Sequence, residues 1–115
     1  MTMQFTTREA NHLISPELQF QLFHLIDSQI KLGLVMDHWQ FFQLRRINAN
    51  RIQVIHSQCH PARREEHIFE GFNLPVNELE AWIINYGDLG SALMIADDYN
   101  QIPVGELQHQ SYMSL

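Results

Sequence analysis

The 115-residue sequence has one cysteine, one lysine, four prolines and five glycines. With no second thiol, Cys59 cannot close an intrachain disulfide, which excludes a small disulfide-stapled scaffold and fits a reducing compartment. The low glycine and proline content excludes collagen-like and low-complexity architectures. No apolar run approaches the roughly 18 residues that a membrane-crossing helix needs. Residues 1–12 lack a basic start followed by an apolar stretch, so no export signal is expected and the cytoplasm is the expected compartment. What is present, 45% hydrophobic and 17% charged residues, suffices for one folded domain. We place that domain at residues 1–99 and a tail at 100–115, which could dock through Ile102-Pro103-Val104.

The net charge of -6 is unevenly spread. Residues 38–64 hold five arginines and no acid, whereas residues 65–115 hold nine acids and neither Lys nor Arg. Such blocks pair within one fold, pair across a dimer, or face outside partners. Self-pairing is favoured, because opposite charges on adjacent strands gain a few tenths of a kcal/mol each with no functional demand.

Ser15-Pro16-Glu17 reads as a helix start: a capping hydroxyl, a proline at the first helical position and an acid at the positive end. Leu18, Leu22, Leu25, Ile26 and Ile30 then recur at spacings of three and four, with Phe23 widening the stripe, and Gly33 permits a left-handed stop. The spacing predicts an amphipathic helix over 16–32. Segments 39–47 and 51–56 read as one hairpin across Asn48-Ala49-Asn50, and 80–86 and 91–96 as another across Gly87-Asp88-Leu89-Gly90. Shorter strands are expected at 67–72 and 4–7. The resulting fold class is α+β: one principal helix on a strongly bent, mainly antiparallel sheet of about five strands, ordered β-α-β-β-β-β-β, with a partial barrel as an option.

Phe41 beside Phe42, Trp82 beside Ile83, and Met94 beside Ile95 put large apolar groups on both faces of these strands. One helix covers one face. The other requires a curled sheet, the tail or a second copy, which favours a homodimer. The leading function is therefore a non-enzymatic interaction or regulatory module that binds a protein partner or itself. Trp39 and Phe42 are its expected apolar anchors, and Arg45, Arg46, Arg51, Arg63 and Arg64 its electrostatic side. The same arginine-rich hairpin gives single-stranded nucleic acid as an alternative, against which a pI near 5.5 counts.

Residues 56–67 form the one stretch able to hold chemistry. His56, Cys59, His60 and His67 are of metal-ligating type, yet their spacing matches no finger motif, and ordinary strand and loop histidines are the expectation. Cys59 beside His60 is no nucleophile-base pair, because adjacent side chains diverge. Glu65-Glu66 and Asp97-Asp98 read as solvated edges, and no cofactor is needed. A rival reading is a small enzyme or ligand pocket gathering His56, Ser57 and Gln58 with Arg8 and Tyr99.

The order Thr7-Arg8, Ile14-Ser15-Pro16-Glu17-Leu18-Gln19, Val54-Ile55-His56-Ser57-Gln58, Trp82-Ile83-Ile84 and Met94-Ile95-Ala96-Asp97-Asp98-Tyr99 resembles the short Gram-positive bacterial proteins described as "staphylococcal protein of unknown function". The resemblance covers about residues 3–99. Cys59 stands where an acid is expected, and Asp97-Asp98 where glutamates are. It implies a cytoplasmic bacterial protein and assigns no substrate, cofactor or partner.

Overall fold

The structure, a computed structural model, describes residues 3–97, so the tail and Tyr99 lie outside the described residues. Along the chain run β1 (Gln4–Thr6), α1 (Arg8–Leu13), α2 (Pro16–Lys31), β2 (Trp39–Asn48), β3 (Arg51–Cys59), β4 (Ala62–Glu70), β5 (Glu78–Asn85) and β6 (Ser91–Ile95). The class is α+β, with one main helix and a bent, mixed sheet of six strands in the order β1-β6-β5-β2-β3-β4. All neighbours are antiparallel except β1 and β6. Among the described residues β1 and β4 are the two edges, and the sheet does not close into a barrel.

The α2 start is built as its sequence dictates. The Ser15 hydroxyl accepts a hydrogen bond from Leu18 N at 3.2 Å, Pro16 opens the helix and Glu17 lies in the first turn. Leu18, Leu22 and Phe23 are buried against the sheet, with Leu25 and Ile26 packed beside them. Ile30, expected in the same stripe, is 54% exposed, and Gln29 is buried in its place. A period of 3.6 rather than 3.5 moves the stripe around the helix, so the last turn presents a neighbouring residue to the sheet. α1 was not expected from the pattern. The Thr7 hydroxyl caps it by accepting from Ala10 N, and only Ala10 is buried along its six residues, too few for a periodic signal.

The two hairpins form where the turn residues indicated. Gly90 is required where it stands: its φ is +106°, and a Cβ there would run into the backbone carbonyl of Met3, which accepts from Ser91 N at 2.9 Å. β4 departs from expectation by starting at Ala62 rather than at residue 67. It forms a third hairpin with β3, with continuous register from Cys59↔Ala62 to Arg51↔Glu70. Arg63-Arg64-Glu65-Glu66 has no apolar alternation, so its strand character comes from the β3 ladder alone.

Alternation assigns the faces. Phe42, Ile83 and Ile95 point inward, joining Leu44, Ile52, Val54, Ala81 and Leu93 under α2. Phe41, Trp82 and Met94 are register partners on the outer face. Each neighbouring apolar pair named from the sequence is thus divided between the two faces.

Candidate functional site

On the inner face the core turns polar towards β3 and β4. Ile52, Val54, His56 and Gln58 follow one another at every second position of β3, all buried, and Gln40 precedes Phe42 and Leu44 on β2 in the same phase. The Gln58 amide nitrogen donates to two backbone carbonyls, Val35 at 3.1 Å and Pro61 at 2.8 Å, which fixes the orientation of its amide. Its oxygen then accepts from Asp37 N, from the Gln40 amide nitrogen at 2.8 Å and from Arg63 Nη2. Gln40 also donates to the Asp37 carbonyl, so its oxygen is turned to His56 Nε2 at 2.7 Å. An amide oxygen only accepts, which puts the imidazole proton on Nε2 and the lone pair on Nδ1. Nδ1 has no hydrogen-bond partner among the described residues.

The His56 ring stacks on Phe42 with centroids 4.4 Å apart, and the residue is only 2% exposed. Burial therefore pushes its pKa down to about 4; Glu65, its register partner, opposes the shift, and His67 and Arg63 add to it. The imidazole is neutral across the physiological range. Desolvation pushes the Asp37 carboxyl up, but backbone N–H groups, including those of His60 and His38, outweigh it and hold the carboxyl below its ordinary value. This assembly ties the chain before β2 to the β3–β4 turn. It contains no nucleophile poised against a base.

Among the described residues, those expected around His56 are not brought together. His56 and Gln58 are buried together, but Ser57 points to the outer face opposite Phe41. Arg8 is exposed on α1, which packs on β6, and β5 and β2 separate β6 from β3. The metal-type residues are dispersed as well. His56 is in the core, His67 is on the inner face of β4 with Nε2 3.3 Å from Glu65, and Cys59 and His60 are exposed at the turn. No group of three or more His, Cys, Asp or Glu side chains gathers among the described residues.

The expected contact residues also divide. Phe42 is fully buried under α2 and cannot anchor a partner, which corrects its assignment as an apolar anchor. The half-buried aromatic cluster lies on the outer face: Trp39 meets Trp82 edge to face at 5.3 Å, and Phe41 meets Trp82 edge to face at 5.9 Å. The Trp82 indole donates to Glu80 at 2.8 Å. Beside them the bend of the sheet leaves a trough of about 290 Å³ lined by Gln43, Arg45, Gln53, Ile55, Glu78 and Glu80.

The arginines do not form an open cationic patch. Arg45 lies 3.4 Å from Glu78 and Arg51 2.6 Å from Glu70, each its cross-strand register partner. Arg64 pairs with Glu66 along β4 at 2.8 Å. Hydrogen bonding from Arg51, reinforced by its charge, holds the Glu70 carboxyl below its usual range. Arg46 donates to the Leu74 carbonyl and the Asn77 side chain, and Arg63 turns inward to Gln58, Gln29 and the Val35 carbonyl. The arginine block is thus answered by partners inside the fold, in line with self-pairing.

Sequence reasoning passed over Gln40, Asp37 and the inward course of Arg63. Gln40 could have been found, because it shares the buried phase of Phe42 and Leu44; Asp37 and Arg63 are united only by the folded loop. Comparison with protein-family models, with curated proteins and with solved structures found no match for this chain.

Proposed function

We propose that this chain is a non-enzymatic interaction module that binds a protein through the outer face of its sheet. The observation that carries this reading is the half-buried cluster of Trp39, Phe41 and Trp82 beside the trough, on the face opposite α2. Aromatic residues beside polar amides and carboxylates are the composition of contact surfaces, where a rigid apolar centre supplies most of the energy and a polar rim sets orientation. The arginines serve the fold, and Trp39 keeps the anchor role in company with Phe41 and Trp82. The cytoplasm suits the exposed thiol of Cys59, which stays reduced there.

A photo-crosslinking residue placed at Gln43, in the trough, is expected to capture a discrete protein in the cells that make this chain. The same residue at Glu17, exposed on α2, captures none. Capture from Glu17 alone, or a yield from Gln43 that Phe41→Glu leaves unchanged, overturns the proposal.

A further inference from the structure

Among the described residues β4 ends the sheet, with nine residues in unbroken register on β3 and without bulge, proline or glycine inside it. Every second residue of such an edge turns its backbone N–H and C=O away from the sheet, a template for another strand. Proteins commonly blunt long edges with charges of one sign, which repel a second copy. Here Arg64 and Glu66 flank Glu65 on the outer face with opposite signs, so reversing the strand about Glu65 sets Arg64 opposite Glu66.

We infer that two copies of this chain associate by antiparallel pairing of β4 with β4, about a two-fold axis through Glu65 and normal to the sheet. In that register Arg64 stands opposite Glu66 of the partner subunit on the outer face, and symmetry repeats the pair. Arg64 and Glu66 already lie 2.8 Å apart on one strand, so four charges alternate in a square around the axis. Ala62 stands opposite Ile68 of the partner subunit, giving cover to a side chain that is 52% exposed in the single chain. On the inner face the two Glu65 carboxylates meet at the axis. Each keeps its own His67 at 3.3 Å, and Arg63 stands opposite His67 of the partner subunit with its guanidinium turned inward to Gln58. The opposite edge, β1, is three residues long and offers no comparable template. Because the axis is normal to the sheet, both copies of α2 stay on one side and both aromatic clusters on the other. The inference does not depend on what those clusters bind.

The test is the mass of the full chain in solution by sedimentation equilibrium, with folding checked by circular dichroism. Wild type is expected at twice the 13.5 kDa chain mass. Arg64→Glu and Glu66→Arg, each of which sets like charges against each other across the axis, are expected to weaken self-association about tenfold or more. Mixing the two variants one to one restores the dimer as a heterodimer, visible by native mass spectrometry, because every facing pair then has opposite signs. In a Cys59→Ser background, Glu65→Cys closes a disulfide between copies under mild oxidation, whereas Glu9→Cys on α1 does not. Phe41→Glu leaves the dimer intact, which separates this inference from the outer-face reading. A monomeric wild type, single variants that stay dimeric, or a mixture that stays monomeric overturns it.

Discussion

On the inner face of the sheet, Gln40, His56 and Gln58 are out of water and their amide and imidazole groups are held by identifiable partners; on the outer face, Arg45, Arg51 and Arg64 sit in solvent beside carboxylates. Both faces come from the same alternating strands. They differ in what a lost partner costs. A stranded buried donor forfeits its hydration as well as its bond, about 1–3 kcal/mol, whereas an exposed charge that loses its partner is rehydrated. The buried polar groups of the inner face therefore specify the fold, as do Ile84, Ala92 and Met94, which are buried on the outer face of β5 and β6, whereas the exposed charges of β2, β3 and β4 do so far less.

The comparison is broken most directly at Phe42 and Phe41. Phe42→Ala opens a cavity in the sealed core and is expected to lose about 3–5 kcal/mol in urea denaturation, whereas Phe41→Ala, on the outer face, loses about 1 kcal/mol. Equal losses would mean that the outer face is as fully packed as the inner one.

A sharper contrast comes from pH. The folded pKa of His56, about 4, lies below its ordinary 6.5, so between these values the unfolded chain binds more protons. Stability from this group is full above pH 6.5 and falls as the pH drops towards 4, by about 3 kcal/mol in all and about 2 kcal/mol by pH 5. His56→Phe removes this slope. A wild-type stability curve flat from pH 7 to 5 would contradict the burial of the imidazole.

Next in size is a matched pair of amide deletions. Gln40→Leu strands the His56 Nε2 proton and costs about 1–3 kcal/mol. Gln53→Leu, which removes an exposed bond to Glu66, stays within about 0.5 kcal/mol. The smallest effect is expected at Arg51→Gln, whose thermal midpoint should differ little from wild type and differ less still in concentrated salt. A large drop there would show that surface pairing holds the β3–β4 hairpin together.

Legibility in the sequence follows the range of the interactions involved. Ser15-Pro16-Glu17 announces its helix because the cap is closed three residues away, and Gly87 and Gly90 announce a turn between adjacent strands. Ile30 departs from the expected stripe because the 3.6-residue period turns Gln29 rather than Ile30 to the sheet in the last turn. The start of β4 is not legible in the sequence, because its charged residues join the sheet only through the β3 ladder. His56 and Gln58 stand next to Ser57 in sequence, but their partners, Gln40 and the Val35 carbonyl, are 16 or more positions away, beyond the reach of any local pattern.

The sequence alone determined the class, the main helix, both predicted hairpins and the division of Phe41 from Phe42, because period and capping act within a few residues. Only the tertiary structure decided that β4 is an edge, that Gln58 joins two loops, and that Arg45 and Arg51 meet Glu78 and Glu70. Those outcomes depend on strand order, which brings distant segments within hydrogen-bonding reach and which no local pattern encodes.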